Sequence, residues 1–310
     1  MPWTPMYPAD ERTGWLLQEE VFTIGTLDNT GDFHIVGCAT VIAGLGRQAI
    51  CLSAAHIFEG IYDLHAPPRA WRYSFPGAEQ DKLFDLTPWI DSKKIKALCV
   101  IDGVAHLCDV GSVCVLPPLD TALIVVEMPE GNPATFRNVL GVNSDPLPVG
   151  TEVILISYST QTVSRIGEHT FNVTRSIAIR RGQIAAVEIT GTGLIRAPVY
   201  RTSIPTEAGM SGGPVFLYDA SMVGPKQVCG IVSADMSVPG ALQDPETDGD
   251  SVVSPVWPSA ALNVRGQNRE LITLKDLAAR GAVKDFGAAL RSTLLETSED
   301  GTWRVTLGAS

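Results

Sequence analysis

A serine set among glycines, Gly209-Met210-Ser211-Gly212-Gly213-Pro214, is the strongest chemical signal in the chain. In such a turn the hydroxyl can be presented while nearby backbone N–H groups converge on one point, and small neighbours admit a substrate carbonyl. An alcohol is a weak nucleophile and needs a base. Ser53-Ala54-Ala55-His56 offers one, and Leu119-Asp120-Thr121 stands between the two at the mouth of the apolar run Ala122–Val126. A buried carboxylate there would fix the imidazole tautomer and stabilise the imidazolium that forms in acyl transfer. His, Asp, Ser is one of the chain orders in which this constellation occurs.

Each assignment has an ordinary competitor. Ser211 could be a turn serine and His56 a core histidine, and Asp109 also stands near apolar strands. His34, His65, His106 and His169 lack the small-residue approach that Ala54-Ala55 gives His56. Pro117-Pro118-Leu119 leads into Asp120 and an aliphatic strand follows, which favours Asp120 over Asp109.

These segments resemble those of trypsin/chymotrypsin-like serine peptidases: an S/T-A-A-H block, a D-x-A-L block and a G-x-S-G-G-P block. Gly230-Ile231-Val232-Ser233 is similar to the family's strand beside the substrate. The resemblance runs from about residue 20 to residue 265. It implies an all-β fold of two packed six-stranded antiparallel Greek-key barrels, chymotrypsin-like, closed by C-terminal helices. It also implies His56, Asp120 and Ser211 as catalytic residues and the N–H groups of Gly209 and Ser211 as an oxyanion hole. The Met210 side chain must then point away, and Ser233 is expected to touch the triad acid.

The substrate pocket implied by the resemblance is lined by Pro205, Thr206, Ser233, Ala234 and Asp235. Pro205 stands where trypsin-like enzymes carry an aspartate, so Arg/Lys cleavage is not inherited. Thr206 is similar to glutamate-specific relatives, but the histidine they place on the following strand is Val232 here. Acidity at the rim from Asp235 and Glu207 points to a small-to-medium or basic residue before the cut.

Short strands must position these groups. Val21–Leu27, Phe33–Ala43, Ala49–Ala55, Ile95–Ile101, Ala105–Val115 and Ala122–Glu127 alternate or run apolar, with Asp28–Asp32 as a turn. Residues 59–94 read as a surface excursion, and the Pro/Asn/Gly-rich stretch Asn132–Pro148 as the seam. Seven further candidates follow: Glu152–Tyr158, Phe171–Arg180, Ile184–Ile189, Val199–Ser203, Gly213–Tyr218, Gln227–Ala234 and Ser251–Trp257. A six-stranded barrel needs one fewer, so one of them is expected to be a loop. Helical spacing over Thr273–Arg280 and Val283–Leu295 predicts closing helices. The expected organisation is therefore residues 1–131 as the first barrel, 132–265 as the second and 266–310 as a helical extension.

Composition bounds the function. The 310 residues are 45% hydrophobic and 18% charged, with 29 glycines and 21 prolines, which suits strands joined by tight turns. A net charge of −11 argues against nucleic acid as a partner. No stretch approaches the ~18 apolar residues of a membrane span, and Met1–Glu20 has no apolar signal segment, so a cytoplasmic location is expected. Cys38, Cys51, Cys99, Cys108, Cys114 and Cys229 read as free buried thiols, since Ile57 stands where secreted relatives carry Cys38's disulfide partner. No cofactor is expected. Cys99, His106, Cys108 and Cys114 do not match compact zinc spacing, and Asp244–Asp250 lacks the closing glutamate of a calcium loop. Ile35-Val36-Gly37 lies inside a strand, so no N-terminal activation cleavage is expected.

A serine endopeptidase acting on proteins or peptides is the reading expected, with a regulatory partner at residues 59–94 or the C-terminal helices. A silent protease-fold scaffold and an esterase are the alternatives.

Overall fold

The computed structural model describes residues 4–6, 19–58, 84–85, 94–115, 119–137, 139–166, 171–191, 195, 197–206, 209–218, 226–233, 251–265, 270–297 and 303–307. The first barrel is built from β1 (Val21–Leu27), β2 (Phe33–Leu45), β3 (Gln48–Ser53), β4 (Ile95–Ile101), β5 (Val104–Val115) and β6 (Ala122–Glu127). The second is built from β7 (Glu152–Arg165), β8 (Phe171–Glu188), β9 (Val199–Thr202), β10 (Pro214–Leu217), β11 (Gln227–Ser233) and β12 (Ser251–Pro255).

Every neighbouring pair within the barrels is antiparallel. Numbering the six strands of each barrel in chain order, both close in the same cycle, 1-2-3-6-5-4. Closure leaves no edge in either ring, which suits strands this apolar. β1 opens with five buried residues and β3 ends with five, and the inward-facing set forms the first core around Phe22, Ile24, Val41 and Ile124. Val153, Leu155, Tyr200, Val215 and Val253 centre the second.

A third apolar cluster lies between the barrels. It joins Ile50, Leu52 and Leu123 of the first barrel to Ile154, Phe216 and Ile231 of the second, and to Leu140 and Val142 of the connecting segment. The chain after β12 completes it with Leu262, Leu274, Leu277, Val283 and Leu290.

Two expectations change. None of the seven second-half candidates is a loop; Phe171–Arg180 and Ile184–Ile189 are parts of the single strand β8. Arg180-Arg181-Gly182-Gln183 looks like a break in sequence, but Gly182 stays in register opposite Val153. A Cβ on Gly182 would sit 2.5 Å from Ile204 Cγ1 and 2.6 Å from Ser203 Oγ, so its glycine serves a close approach rather than a turn.

The C-terminal part is mixed rather than helical. β13 (Asn263–Arg265) pairs with β14 (Leu271–Thr273), α1 (Leu274–Ala279) and α2 (Ala289–Ser292) are short, and β15 (Thr293–Thr297) pairs with β16 (Trp303–Leu307). Thr273 and Asp276 form a reciprocal capping box at the start of α1. Asp145 Oδ1 accepts the N–H groups of Ala288 and Ala289, tying α2 to the inter-barrel connection. A three-residue strand at Thr4–Met6 pairs with Ile179–Arg181 of β8. Among the described residues, no helix is long and apolar enough to cross a membrane.

Candidate active site

β3 runs apolar to its end and hands the chain to a helical turn at residues 55–58, which carries His56. Asp120 stands just before β6, whose partner in the barrel wall is β3, so sheet pairing alone brings the two together. The carboxylate faces His56 Nδ1 at 2.8 Å and accepts the His56 backbone N–H at 3.0 Å. Ala55 N–H donates to the Asp120 carbonyl at 3.3 Å. Asp120 is wholly buried, whereas the His56 side chain keeps 16% of its surface exposed. The acid is dry and the base reaches solvent. A carboxylate offers only lone pairs, so Nδ1 carries the proton and the ring's lone pair is on Nε2.

Ser211 lies on the turn between β9 and β10 and is 9% exposed. Gly209 (φ +88°) and Gly212 (φ +81°) bracket the turn in the left-handed region, where side chains are disfavoured. At Gly212 a Cβ would run into the Cys38 carbonyl oxygen and come within 2.8 Å of Ser53 Oγ. At Gly209 it would meet nothing within 4 Å among the described residues. Met210 is buried in the second core, its side chain directed away from the site as the sequence predicts.

The turn is fastened across the seam to β2. Cys38 N–H donates to the Ser211 carbonyl at 2.8 Å, Cys38 Sγ–H to the Gly209 carbonyl at 3.3 Å, and Thr40 Oγ1–H to the Gly212 carbonyl at 3.1 Å. Gly37 lets the pieces converge: a Cβ there would strike the Ile57 side chain and approach the Ser211 carbonyl oxygen to 3.0 Å. Within the second barrel, Gly212 N–H donates to Val232 O and Gly213 N–H to Met210 O, both at 2.9 Å. His56, Asp120 and Ser211 are thus carried by elements that meet at one seam.

Thr40 and Cys38 are contributions that the motifs do not reveal. Cys38 stands at a position the resemblance marks, and its signal is the absent disulfide partner at Ile57. All six cysteines are free and buried. Burial pushes the Cys38 thiol up to about 12, against the opposing pull of Arg175's positive charge.

The expected specificity residues divide. Pro205 and Thr206 are half-buried, and the Pro205 carbonyl accepts a hydrogen bond from Arg180 Nη1 at 2.9 Å. Ser233 ends β11 and is buried, but its hydroxyl pairs with Ser254 Oγ at 2.8 Å inside its own barrel. Ser254 lies on the adjoining strand β12, which brings the two hydroxyls together. Glu207, Ala234, Asp235 and the acidic stretch 244–250 lie outside the described residues, as does most of 59–94. No group of three or more metal-ligating side chains occurs among the described residues.

The family model of the trypsin-like peptidase domain matches residues 13–224. No curated protein sequence matches the chain. Among solved structures, the MamO protease domain from Magnetospirillum magneticum in its apo form is 13% identical, with 77% of this chain and 93% of that one covered and a TM-score of 0.41.

Proposed function

The chain belongs to the trypsin-like peptidase domain family, and on that premise we propose that it is a serine endopeptidase working through His56, Asp120 and Ser211. The observation that carries the proposal is the two-point hold of buried Asp120 on His56, beside a seam that also anchors the serine turn. A silent scaffold has no use for a dry carboxylate locking an imidazole tautomer.

In the proposed reaction, His56 Nε2 takes the Ser211 proton as Oγ attacks the scissile carbonyl carbon. The oxygen of the tetrahedral intermediate is held by the N–H groups of Gly209 and Ser211, a stabilisation of about 3 kcal/mol per donor. The imidazolium, balanced by Asp120, then protonates the leaving amine. Water, deprotonated by the same histidine, hydrolyses the acyl-enzyme ester and restores Ser211.

A fluorophosphonate probe tests this proposal, because it modifies only an activated serine. Wild type is expected to label and to cleave an unstructured protein, and Ser211→Ala to do neither. Equal behaviour of the two proteins would favour a scaffold. Labelling with turnover of esters but not peptides would favour an esterase. Cut sites read by mass spectrometry across a peptide library test the expected small-to-medium or basic residue before the scissile bond. A preference for Glu or Asp would overturn that part. Control by a protein partner and a cytoplasmic setting complete the proposal; co-purification with tagged Ser211→Ala and cell fractionation test them.

A further inference from the structure

We propose that Cys38 is a positioning residue for the oxyanion-binding turn, its thiol setting the Gly209–Met210 peptide so that the N–H groups of Gly209 and Ser211 act on one oxygen. The inference rests on the peptidase reading of the site. Three successive peptides form the turn, and each has its own restraint. The Ser211–Gly212 peptide is held on both edges, by Cys38 N–H at its carbonyl and by Val232 O at its N–H. The Met210–Ser211 peptide is held by Gly213 N–H at the Met210 carbonyl. Because a trans peptide directs C=O and N–H oppositely, that bond aims Ser211 N–H the other way.

The Gly209–Met210 peptide lies between the two proposed donors, and its carbonyl receives Cys38 Sγ–H at 3.3 Å. Gly209 is the residue best able to let this peptide rotate. It has φ +88°, no side chain, and no described residue within 4 Å of where a Cβ would be. A half-turn of the peptide would bring its carbonyl oxygen round to the side away from Cys38, where it would repel a developing oxyanion. The restraint has to come from the barrel side, where Cys38 is. Its thiol is buried and pushed up to about 12, so it keeps the proton it donates at neutral pH.

Three measurements test this: steady-state hydrolysis of an ester and a peptide substrate, fluorophosphonate labelling rate, and amide hydrogen exchange over residues 209–212. For Cys38→Ala the expected result is kcat about 10- to 100-fold lower, somewhat less than the loss of a whole oxyanion donor. KM should stay within about twofold, and amide exchange in the turn should quicken. Cys38→Ser, which keeps a donor, should recover most of kcat and of the exchange protection. Cys38→Val keeps volume without a donor and should behave like the alanine variant, and it replaces that variant if alanine does not fold. Wild-type kcat in the alanine or valine variant would overturn the inference, as would equal impairment of the serine and valine variants. Should wild type neither label nor turn over substrate, the peptidase reading fails first. Exchange at 209–212 then decides on Cys38 alone, and protection unchanged in the alanine and valine variants would overturn its positioning role.

Discussion

Asp120 holds His56 at two points, one carboxylate oxygen on the backbone N–H at 3.0 Å and the other on Nδ1 at 2.8 Å. The backbone bond fixes where the residue sits, and the ring bond fixes which nitrogen carries the proton. A single side chain therefore sets both position and tautomer, and substitutions of Asp120 should separate the two.

Asp120→Asn keeps an oxygen for the His56 backbone N–H but turns an amide N–H toward Nδ1. The proton then moves to Nε2, the wrong nitrogen for accepting from Ser211. The rate at neutral pH should fall by about 10⁴-fold with the fold retained. Asp120→Ala should also lower stability, by about 1–3 kcal/mol, because the part-buried His56 N–H loses its acceptor. Turnover and urea unfolding of both variants check this.

Acid should switch the activity off. His56 has to be neutral to take the serine proton, so the rate should climb with pH as the imidazole loses its proton and level off above that. A pH–rate profile of kcat/KM checks this, and an optimum at about pH 4 would assign the chemistry to carboxyl groups instead.

The two glycines of the serine turn should respond differently to alanine. At Gly209 the cost is that of the left-handed backbone, about 1–3 kcal/mol, since a Cβ would meet nothing within 4 Å among the described residues. Gly212→Ala adds a collision with the Cys38 carbonyl and crowding of Ser53, so the turn must leave β2. Gly212→Ala should therefore be the less stable of the two by denaturant unfolding and should lose fluorophosphonate labelling.

Helix α1 should weaken in acid. The hydrogen bond from Thr273 holds the Asp276 carboxyl below the usual range. A depressed folded pKa stabilises the fold above the unfolded value, ~3.9, and that contribution is lost as pH falls through the folded pKa. Thr273→Ala should cost about 1 kcal/mol at neutral pH and less below about pH 4, with labelling of Ser211 unchanged. Urea melts at two pH values check the difference.

The thiols should be silent in the native protein. All six are buried, and burial pushes Cys38 and Cys229 each up to about 12 and Cys51 and Cys99 upward as well. A thiol-reactive dye at mildly alkaline pH should report almost nothing until denaturant is added, and then six groups.

The first barrel was largely legible because its strands end at strong punctuation and the candidate residues His56 and Asp120 sit at strand ends. The Asp28–Asp32 turn is closed by the Asp28 carboxylate, which accepts the N–H groups of Thr30 and Asp32, as an Asx-turn sequence suggests. The second barrel was harder. Gly182 carries the same letter as a turn glycine, and only the distance to Ile204 and Ser203 shows that β8 runs straight past it. Val283–Leu295 has helical spacing, yet four residues suffice before β-branched Thr293 begins a strand paired with Leu307. Ser233 was legible as a strand-end residue from the resemblance, while its hydroxyl's bond to Ser254, twenty-one residues away, follows from the pairing of β11 with β12, which no local motif encodes.

The apolar cluster between the barrels has a consequence for dissecting the molecule. It draws on the first barrel, the connecting segment, the second barrel and the chain beyond β12 together, so no cut between the barrels leaves either half with its apolar surface covered. Expressed alone, residues 1–131 and 132–310 would each be a sticky fragment. Expressed together, the two have every reason to find one another, and the histidine and the serine would then return to the same seam from separate polypeptides. The protein is in that sense already laid out as a complementation pair, its two halves each lacking a surface that the other supplies.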